Sequence, residues 1–415
     1  MGRYKIIFAV FCMLVVFAGC SLNGFKKNDK IVINSDDTTQ NYFVFIDYKS
    51  SKYGYMNSKG EVIISPYFEY AEDFVDGLAK VKTSKGFGLM NKGGKFILQP
   101  IYLDCKYLGN DLIAYKTQKW RININNGKDS DKLEFEEINN FSEGLAAVKM
   151  DGKWGFIDIE ENLRIKPIFE HVTGFKDSLS DIKVNNRWGM IDINGKVVVE
   201  PKFESRVWVL DDYILVQDDN GKWGYLNSKG EQIIDCIYES ADHFSEGLAP
   251  VYKDGKWGYI DKQGIFAIEP AYEEAKKFSK GLALVKRDNK YYYINTEGTV
   301  IKETNMYYTN IYGFYEQRAA IKKDSKYGFV NENMDIIVEP EYDDYKDFSE
   351  GFAVVGKKVK GSYDNVYGYV DKTGNWLIEP TFSNAESFKN GLAKVWKSGK
   401  MGYIDTKGNV VFKTW

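Results

Sequence analysis

The stretch KWGYIDKQGIFAIEP, residues 256–270, recurs in degraded copies along the whole chain. The copies keep a spacing of 33 to 36 residues, with one of 40, when they are aligned on the aromatic position before the first glycine. The eleven aligned positions are Tyr53, Phe87, Trp120, Trp154, Trp188, Trp223, Trp257, Tyr291, Tyr327, Tyr367 and Met401. A fixed period of this length is typical of repeat proteins, whose small units bury their apolar faces against their neighbours. The sequence therefore predicts a tandem array of about eleven units over residues 41–415.

Each copy has the pattern of a β-hairpin. Residues 257–260, WGYI, are aromatic and β-branched, as strands prefer, and residues 261–264, DKQG, place Asp and Gly at the first and fourth positions of a turn. The glycine can adopt a positive φ, so residues 265–269 are expected to return antiparallel. Pro270 cannot donate a backbone hydrogen bond, and we expect it to end this return strand.

The residues after the proline predict a linking arm and a third strand. Tyr272, Ala275 and Phe278 lie three apart, which favours a single helical or 3₁₀ turn with the three side chains on one side. Residues 281–285, GLALV, then have the composition of a strand. Each unit is therefore expected to be a three-stranded antiparallel meander with a short arm, and the fold to be all-β.

The two ends of the array bear on its overall shape. Residues 42–48 supply the strand before the first aromatic strand, and residues 410–412 supply the return strand of the eleventh unit. No unit is therefore shared between the ends, and β-propellers typically have about four to eight blades, fewer than eleven. We expect an open, curved β-solenoid, with one or two closed propeller-like rings as the alternative. Contact between the two ends would identify a ring.

The repeated motif resembles that of a known family. Units with K-W-G-Y-I-D-x-x-G, a following E-P and F-S-E-G-L-A are similar to the WG-repeat (KWG-repeat) family of bacterial proteins over about residues 42–415. The resemblance implies a β-rich repeat array on a secreted or surface-associated protein. Residues 289–298, NKYYYINTEG, also resemble the hairpin of the cell-wall-binding (choline-binding) repeat family, whose aromatic residues form cages between hairpins. This second likeness covers one unit and favours hairpin stacking more than a choline site.

The N terminus has the pattern of a signal peptide. Arg3 and Lys5 precede an apolar run at 6–17 that is short for a membrane span. Cys20 follows the small residues Ala18 and Gly19, a pattern that resembles the lipobox of lipoproteins. The pattern implies that residues 1–19 are a signal peptide and that Cys20 is lipidated; an uncleaved anchor is the alternative.

The remainder of the N-terminal region is expected to be a tether. Residues 20–40 are polar and lack periodicity, which indicates a flexible segment after the lipidated Cys20. The protein is therefore expected to be exported and lipid-anchored, on the outer side of the cytoplasmic membrane or in the outer membrane. The membrane contact is through the N-terminal lipid.

Charge and cysteine content exclude some classes of protein. The formal net charge of −3 becomes −5 when Arg3 and Lys5 leave with the signal peptide, so we expect no nucleic-acid partner. Of the cysteines that remain besides Cys20, Cys105 and Cys236 lie four units apart and are expected to be free thiols.

No catalytic or metal-binding motif is evident, and we expect a protein without enzymatic activity, cofactor or metal. The two histidines, His171 and His243, lie in the arms of different units. The Asp that opens each D-x-x-G turn is expected to form an Asx turn rather than a calcium site, because Asn replaces it in several copies. Carboxylate pairs such as Glu273 and Glu274 are better explained as a solvated arm than as a glycosidase pair.

The candidate binding residues are a ladder of aromatic side chains with neighbouring cations. Stacked rings beside regularly spaced cations could hold a glycan or an anionic wall polymer. The favoured alternative is that the rings form the core between units and that the cations pair with arm carboxylates such as Glu246 and Glu350. The candidates are Trp154, Trp188, Trp223, Trp257, Tyr291, Tyr292, Tyr293, Lys153, Arg187, Lys222, Lys256 and Lys290.

A further candidate is the insertion at 356–366, which contains Lys357, Lys358 and Lys360 and is expected to project from the array as a lengthened hairpin.

Our hypothesis is a non-enzymatic surface lipoprotein whose array binds an envelope protein or a cell-wall polymer. A glycan-acting hydrolase with a dispersed carboxylate site and a purely structural spacer are the alternatives. Buried rings would favour a spacer or protein binding, and exposed rings would favour a polymer.

Overall fold

The computed structural model describes residues 41–109, 111–124, 128–129, 133–210, 213–304, 307–308, 314–332 and 335–415. The predicted signal peptide at 1–19, the predicted lipidation site Cys20 and the predicted tether at 20–40 lie outside the described residues. Within these ranges the chain is all-β, as predicted, and forms eleven small antiparallel sheets of three or four strands. No described segment forms a helix with the length and apolar content that a membrane span needs.

The first six sheets are formed by β1–β23. Sheet 1 contains β1 (Phe43–Asp47), β2 (Lys52–Met56) and β3 (Val62–Phe68), and sheet 2 contains β4 (Tyr70–Ala71), β5 (Leu78–Thr83), β6 (Gly86–Asn91) and β7 (Phe96–Tyr102). Sheet 3 contains β8 (Asp104–Gly109), β9 (Leu112–Lys116), β10 (Trp120–Ile124) and β11 (Lys128–Asp129), and sheet 4 contains β12 (Glu137–Ser142), β13 (Leu145–Met150), β14 (Lys153–Asp158) and β15 (Leu163–Phe169). Sheet 5 contains β16 (His171–Val172), β17 (Leu179–Val184), β18 (Arg187–Asp192) and β19 (Val197–Phe203), and sheet 6 contains β20 (Trp208–Leu210), β21 (Tyr213–Gln217), β22 (Trp223–Asn227) and β23 (Gln232–Tyr238).

The last five sheets are formed by β24–β43. Sheet 7 contains β24 (Ser240–Ala241), β25 (Ala249–Lys253), β26 (Lys256–Ile260) and β27 (Phe266–Tyr272), and sheet 8 contains β28 (Glu274–Ala275), β29 (Ala283–Arg287), β30 (Lys290–Ile294) and β31 (Val300–Thr304). Sheet 9 contains β32 (Tyr307–Tyr308), β33 (Ala319–Lys323), β34 (Lys326–Val330) and β35 (Ile336–Tyr342), and sheet 10 contains β36 (Asp344–Ser349), β37 (Phe352–Lys358), β38 (Asn365–Asp371) and β39 (Trp376–Phe382). Sheet 11 contains β40 (Asn384–Ala385), β41 (Leu392–Lys397), β42 (Lys400–Asp405) and β43 (Val410–Lys413).

The linking arm differs from its prediction. Instead of a helical turn, the arm after Tyr272 pairs with the next sheet, with Glu274 opposite Lys286 and Ala275 opposite Val285. The meander has an exposed backbone edge along β29, and pairing with it satisfies the N–H and C=O groups of the arm better than an isolated turn would. The arm is therefore a short fourth strand. The three residues spaced three apart, Tyr272, Ala275 and Phe278, are nevertheless all buried in the core.

The proline of the repeat also differs from its prediction, because the return strand continues through it. Trp257 pairs with Tyr272 and Tyr259 pairs with Ile268, so that Pro270 lies in a bulge opposite Gly258. A β-carbon on Gly258 would lie 2.7 Å from both Ile268 O and Pro270 N. The glycine and the proline of the motif are thus in direct contact across the two strands. Backbone approaches just as close recur at Gly54, Gly88, Gly155, Gly189, Gly224, Gly328 and Gly368.

The hydrophobic core lies between successive sheets. Tyr259, Ile268 and Tyr272 of sheet 7, for example, pack with Phe278 and Val285, which belong to the arm and second strand of sheet 8. In four units a buried tyrosine also donates a hydrogen bond to the arm that follows it, as Tyr259 does to Lys276 O at 2.6 Å; the others are Tyr55, Tyr225 and Tyr369. Among the described residues, each core cluster is shared between two successive sheets, as the repeat period predicts.

The two ends of the array are in contact, which corrects the expectation of an open solenoid. Phe43 and Phe45 of sheet 1 pack with Leu392 and Tyr403 of sheet 11. The Tyr403 hydroxyl donates to Val44 O at 2.8 Å. The described strands therefore close into a propeller-like ring of eleven sheets. The expectation failed because a strand shared between the ends was taken as the requirement for closure, whereas side-chain packing and hydrogen bonds from tyrosine hydroxyls to backbone carbonyls close this ring.

We predict that Gly258→Ala lowers the melting temperature, because the added methyl group must displace the backbone of the proline bulge, at a cost of about 2 kcal/mol. Thermal denaturation followed by circular dichroism measures the change. Gly93→Ala is the matched control, since a β-carbon there has its nearest neighbour at 3.4 Å, an ordinary contact. Equal melting temperatures for the two variants would contradict this account of the motif.

Candidate functional site

The aromatic ladder lies at the beginning of the third strand of successive sheets and faces lysines of the preceding strand. Trp154, Trp188, Trp223, Trp257 and Tyr291 are half-buried. Several rings are covered by a cross-strand lysine ammonium, a cation–π arrangement that occupies the ring face. These pairs are Lys82 with Phe87 at 5.3 Å, Lys149 with Trp154 at 5.8 Å, Lys183 with Trp188 at 5.5 Å, Lys286 with Tyr291 at 5.5 Å and Lys322 with Tyr327 at 4.9 Å.

The three consecutive tyrosines of the eighth unit do not form one outward-facing cage. Tyr293 is buried at 5% exposure, on the opposite face of its strand from Tyr292. Tyr292 is half-buried beneath the guanidinium of Arg287, whose Cζ lies 5.6 Å from the ring centroid. Tyr291 donates a hydrogen bond from its hydroxyl to Glu274 Oε1 at 3.2 Å.

The candidate cations mostly form ion pairs with the first acidic residue of the arm, seventeen residues later. Glu239 pairs with Lys222 at 3.1 Å, and the hydrogen bond from this lysine holds the pKa of the carboxyl below its usual value. The same pairing joins Lys153 to Glu170 at 3.8 Å, Arg187 to Glu204 at 3.4 Å and Lys326 to Asp343 at 2.7 Å. Lys290 instead pairs with Glu303 at 2.9 Å, and Lys256 is exposed.

Glu246 and Glu350, predicted as partners of these cations, have a different role. Glu246 accepts a hydrogen bond from Gly281 N of the next unit at 2.8 Å, and Ser245 Oγ donates to Phe278 O at 2.7 Å. The F-S-E-G motif is therefore a clamp between the turns of consecutive units. The clamp recurs in sheet 4, where Ser142 Oγ donates to Phe175 O and Glu143 accepts from Ser178 N. It recurs again in sheet 10, where Ser349 Oγ donates to Phe388 O and Glu350 accepts from Asn390 N and Gly391 N.

Sequence reasoning missed this clamp, although a signal was present. Glu246 has a φ of 53° and Glu350 a φ of 52°, and non-glycine residues adopt this left-handed region at a cost. A turn of this kind favours Asn, Asp or Gly at its first position. The recurrence of Glu at a position that disfavours it indicates that the side chain has a partner outside its own turn.

The D-x-x-G turns are Asx turns, as predicted. Asp261 Oδ1 accepts hydrogen bonds from Gln263 N and Ile265 N, both at 2.9 Å. In the part of the chain that the structure describes, no group of three or more His, Cys, Asp or Glu side chains is arranged to hold a metal ion. The described thiols of Cys105 and Cys236 are free, as predicted. Burial raises the pKa of Cys105 to about 12.

Among the described residues, the one buried acid in the second strand of a sheet is Asp181 of β17, which lies opposite Met190. Asp181 is 7% exposed and accepts a hydrogen bond from Arg206 Nε at 2.6 Å, across the boundary between sheets 5 and 6. Burial raises the pKa of Asp181, although Arg206 opposes the shift. The His171 ring packs against Trp188 at 5.2 Å between centroids, and burial together with Arg206 lowers the pKa of this histidine.

The inserted hairpin at 356–366 projects as predicted. Strands β37 and β38 remain paired as far as Lys358 opposite Asn365, beyond the length of other hairpins. Tyr363 at the tip is fully exposed. Lys357 is paired with Glu341 at 3.2 Å, so that not every lysine of the insertion is available to a ligand.

A column of exposed apolar side chains lies on the return strands, at the residue that follows the proline position. Ile101 is 58% exposed, Ile168 is 60% exposed and Ile237 is 47% exposed, in sheets 2, 4 and 6. The same column holds Ala271 in sheet 7 and Thr381 in sheet 10. Single exposed apolar residues are common on soluble proteins; here they recur at one register on alternate units, and exposed Lys202 stands at the same position in sheet 5.

Comparison with known proteins identifies the repeat. The sequence profile of the WG containing repeat matches ten segments of the chain, at residues 53–85, 87–118, 132–154, 154–188, 188–222, 223–257, 257–291, 293–327, 327–358 and 367–400. No match was found among curated proteins.

Similar solved structures share little sequence with the chain. BamB from Moraxella catarrhalis is 12% identical with a TM-score of 0.31, over 62% of this chain and 94% of that one. A eukaryotic initiation factor is 10% identical with a TM-score of 0.41, over 90% of this chain and 96% of that one. The computationally designed Ika8 protein is 12% identical with a TM-score of 0.27, over 64% and 93%.

We predict that Arg206→Ala lowers the stability of the fold by about 2 kcal/mol near pH 7, because it leaves the buried Asp181 carboxylate without its guanidinium. The loss should shrink as the pH falls towards 4. With its pKa raised above the unfolded value, Asp181 takes up a proton in the folded state first, and its neutral form no longer needs Arg206.

Melting temperatures of the wild type and Arg206→Ala at pH 7 and pH 4.5 test this expectation. The control is Arg164→Ala, which removes a 58% exposed side chain paired with Asp158 at 3.4 Å and should change little at either pH. A deficit for Arg206→Ala that stays constant or grows in acid would contradict the assignment of the buried charge to Asp181.

Proposed function

The chain belongs to the WG containing repeat family, and we propose that it is a non-enzymatic, surface-anchored lipoprotein whose ring of repeats binds another protein of the cell envelope. The observation that carries this proposal is the isoleucine column of Ile101, Ile168 and Ile237. Exposed aliphatic side chains favour a protein partner, since their burial against another apolar surface releases water.

The column occupies only part of the ring. Sheets 2, 4 and 6 carry isoleucine at this position, whereas Lys202, Glu341 and Thr381 stand there in sheets 5, 9 and 10. The repeat fold therefore tolerates a polar residue at the position, and the isoleucines are not required for packing. The three isoleucines all lie within sheets 2 to 6, with Lys202 between the last two, so a partner that docks on them would contact one side of the ring.

The geometry of the aromatic ladder favours a protein over a cell-wall polymer. A glycan platform needs open ring faces, but Trp154 and Trp188 lie under Lys149 and Lys183. The candidate cations Lys153, Arg187 and Lys222 are engaged with carboxylates of the arms. At Trp154 and Trp188, the ring and the neighbouring cation thus both have intramolecular partners, and a polymer would have to displace them.

The recurrent carboxylates support a role without catalysis. Glu246 is held by a backbone N–H of the next unit, and Asp261 is held by its own turn. A glycosidase would need two carboxyl groups facing one another across a bound sugar ring. The acids that recur in this repeat instead have assigned partners in the fold.

The location on the cell surface is proposed from the N-terminal sequence. The basic start, the apolar run at 6–17 and Cys20 after small residues favour export and lipidation. A single lipid-bearing cysteine would hold the ring near the membrane surface and leave its isoleucine column available to other envelope proteins.

We predict that replacing the isoleucine column by glutamate, with Ile101→Glu, Ile168→Glu and Ile237→Glu together, abolishes capture of the partner. The immobilised protein is incubated separately with detergent-solubilised envelope proteins and with purified cell wall. Wild type should retain a discrete set of envelope proteins, and the triple variant should retain at least about tenfold less, because burying three charges costs more than the 1.4 kcal/mol that a tenfold change represents.

The matched control is Ala271→Glu with Thr381→Glu, which adds charges to the same column on other sheets and should leave capture unchanged. Melting temperatures of all forms confirm that the ring is intact. Retention of cell wall but of no envelope protein by the wild type would overturn the proposal in favour of a polymer. Equal loss of envelope-protein capture by the triple variant and by the control would show that the three isoleucines have no special role.

We predict that Cys20→Ser moves the protein from the membrane fraction to the soluble fraction or leaves an uncleaved precursor, because the serine hydroxyl cannot replace the thiol that receives the lipid. Fractionation and metabolic labelling with a radioactive fatty acid measure this. Cys105→Ser is the control, since it alters a cysteine of the ring. Unchanged labelling of the Cys20→Ser form would rule out the lipobox interpretation.

A further inference from the structure

An open cavity of about 580 Å³ lies where the first and last sheets meet, and we call it the seam cavity. Its volume is within the range of about 300 to 1,000 Å³ that is usual for ligand sites in proteins. The cavity shares no residue with the isoleucine column, so its ligand need not be the partner proposed above. The residues that line it are Phe45, Asp47, Tyr48, Lys49, Val62, Pro66, Lys400, Phe412, Lys413, Thr414 and Trp415.

The apolar wall of the seam cavity is held in place by the packing that closes the ring. Phe45 is buried at 3% exposure, and its ring centroid lies 4.7 Å from that of Phe412. Thr414 donates twice to one carbonyl oxygen of β42, from its backbone N–H at 3.1 Å and from its hydroxyl at 2.7 Å. The ring of Trp415, the next residue, is packed so closely on Gly402 that a β-carbon there would clash with it. The wall is therefore preformed.

Three lysines of the seam cavity have no acidic partner. Lys49, Lys400 and Lys413 are all exposed, and within the described ranges none of them forms an ion pair. By contrast Lys222, which corresponds to Lys400 in sheet 6, is paired with Glu239 of the following arm at 3.1 Å. The three ammonium groups at the seam are therefore available to a ligand.

The one acid among the residues that line the seam cavity is already engaged. Asp47 accepts hydrogen bonds from Ser50 Oγ at 2.6 Å, from Ser50 N at 3.2 Å and from Lys49 N at 3.2 Å. These bonds, above all the one from the Ser50 hydroxyl, hold the pKa of Asp47 below its usual value. Three lysines against one aspartate leave the lining with a surplus of positive charge, in a chain whose formal net charge is −3. The lining therefore favours an anion.

The chemistry of the lining fits an anionic group that is attached to an apolar body. A phosphate group accepts hydrogen bonds on several oxygens at once, which suits several ammonium donors better than the two oxygens of a carboxylate do. The rings of Phe45, Phe412 and Trp415 provide apolar surface that an inorganic ion alone could not cover. A phosphate ester with an apolar substituent would use both parts of the cavity.

We propose that the seam cavity binds the headgroup region of an anionic glycerophospholipid, with the phosphate at Lys49, Lys400 and Lys413 and the apolar part on Phe412 and Trp415. Lys49 belongs to the first sheet, and the other two lysines belong to the last. A ligand that contacts all three links the ends of the array and stabilises the closed ring. This inference depends neither on the proposed envelope protein nor on lipidation of Cys20.

Isothermal titration calorimetry of the full-length protein in detergent tests the proposal with three soluble probes. Dibutanoylphosphatidylglycerol carries an anionic phosphate on a short-chain apolar body. Dibutanoylphosphatidylcholine keeps the phosphate and the chains but has no net charge, and sodium phosphate has the charge without the body. The first probe should bind at least about tenfold more tightly than either of the others.

Lys400→Gln combined with Lys413→Gln should weaken the binding of dibutanoylphosphatidylglycerol at least about tenfold, because two of the three ammonium groups are lost. Both side chains are exposed, so the melting temperature without the probe should not change. The matched control is Lys229→Gln combined with Lys407→Gln, which removes two exposed charges from D-x-x-G turns that do not line the cavity and should leave binding unchanged.

Four results would overturn the proposal. Dibutanoylphosphatidylglycerol does not bind, or the choline lipid binds equally well, which would deny a role to the surplus charge. Sodium phosphate binds as tightly as the glycerol lipid, which would indicate an adventitious ion only. The control pair weakens binding as much as Lys400→Gln with Lys413→Gln, which would assign the effect to the net charge of the protein and not to the seam cavity.

Discussion

The ring depends on one constraint, which is that a sheet of three or four short strands cannot bury both of its faces by itself. The core residues of one unit, such as Tyr259 and Ile268, are covered by the arm and second strand of the next. The same boundary carries polar links, because Tyr259 donates to the backbone of the following arm and Glu246 accepts from the following turn. Packing and hydrogen bonding therefore act across the same surfaces, and the stability of each unit is a property of its pair.

The repeated motif can be explained residue by residue from this constraint. Gly258 allows the return strand to approach closely, and Pro270 lies in the bulge that makes the approach. Trp257 lies beside that bulge, opposite Tyr272. Lys222 and Glu239 show how the residue before the tryptophan is joined to the beginning of the arm. The motif thus records contacts within one sheet and between that sheet and the arm that follows it.

Much of this fold could be predicted from the sequence because period and turn chemistry are local. The D-x-x-G turn, the strand runs and the length of the inserted hairpin depend on neighbouring residues, and each was found where expected. Three features could not be predicted in this way. The arm became a strand because β29 offered it an edge, Pro270 stayed within its strand because Gly258 faced it, and the ends met through Phe43 and Tyr403. Each of these features depends on a residue in another strand, which the local sequence pattern does not identify.

Closure through side chains has a consequence for the strength of the joint between Val44 and Tyr403. Two separate proteins that met through a few rings and two hydroxyl hydrogen bonds would dissociate readily, since association costs translational and rotational entropy. Here the other ten boundaries hold the ends side by side, so that the effective concentration of one end at the other is high. A modest intramolecular contact is then sufficient to keep the ring closed, with no described strand paired across this boundary.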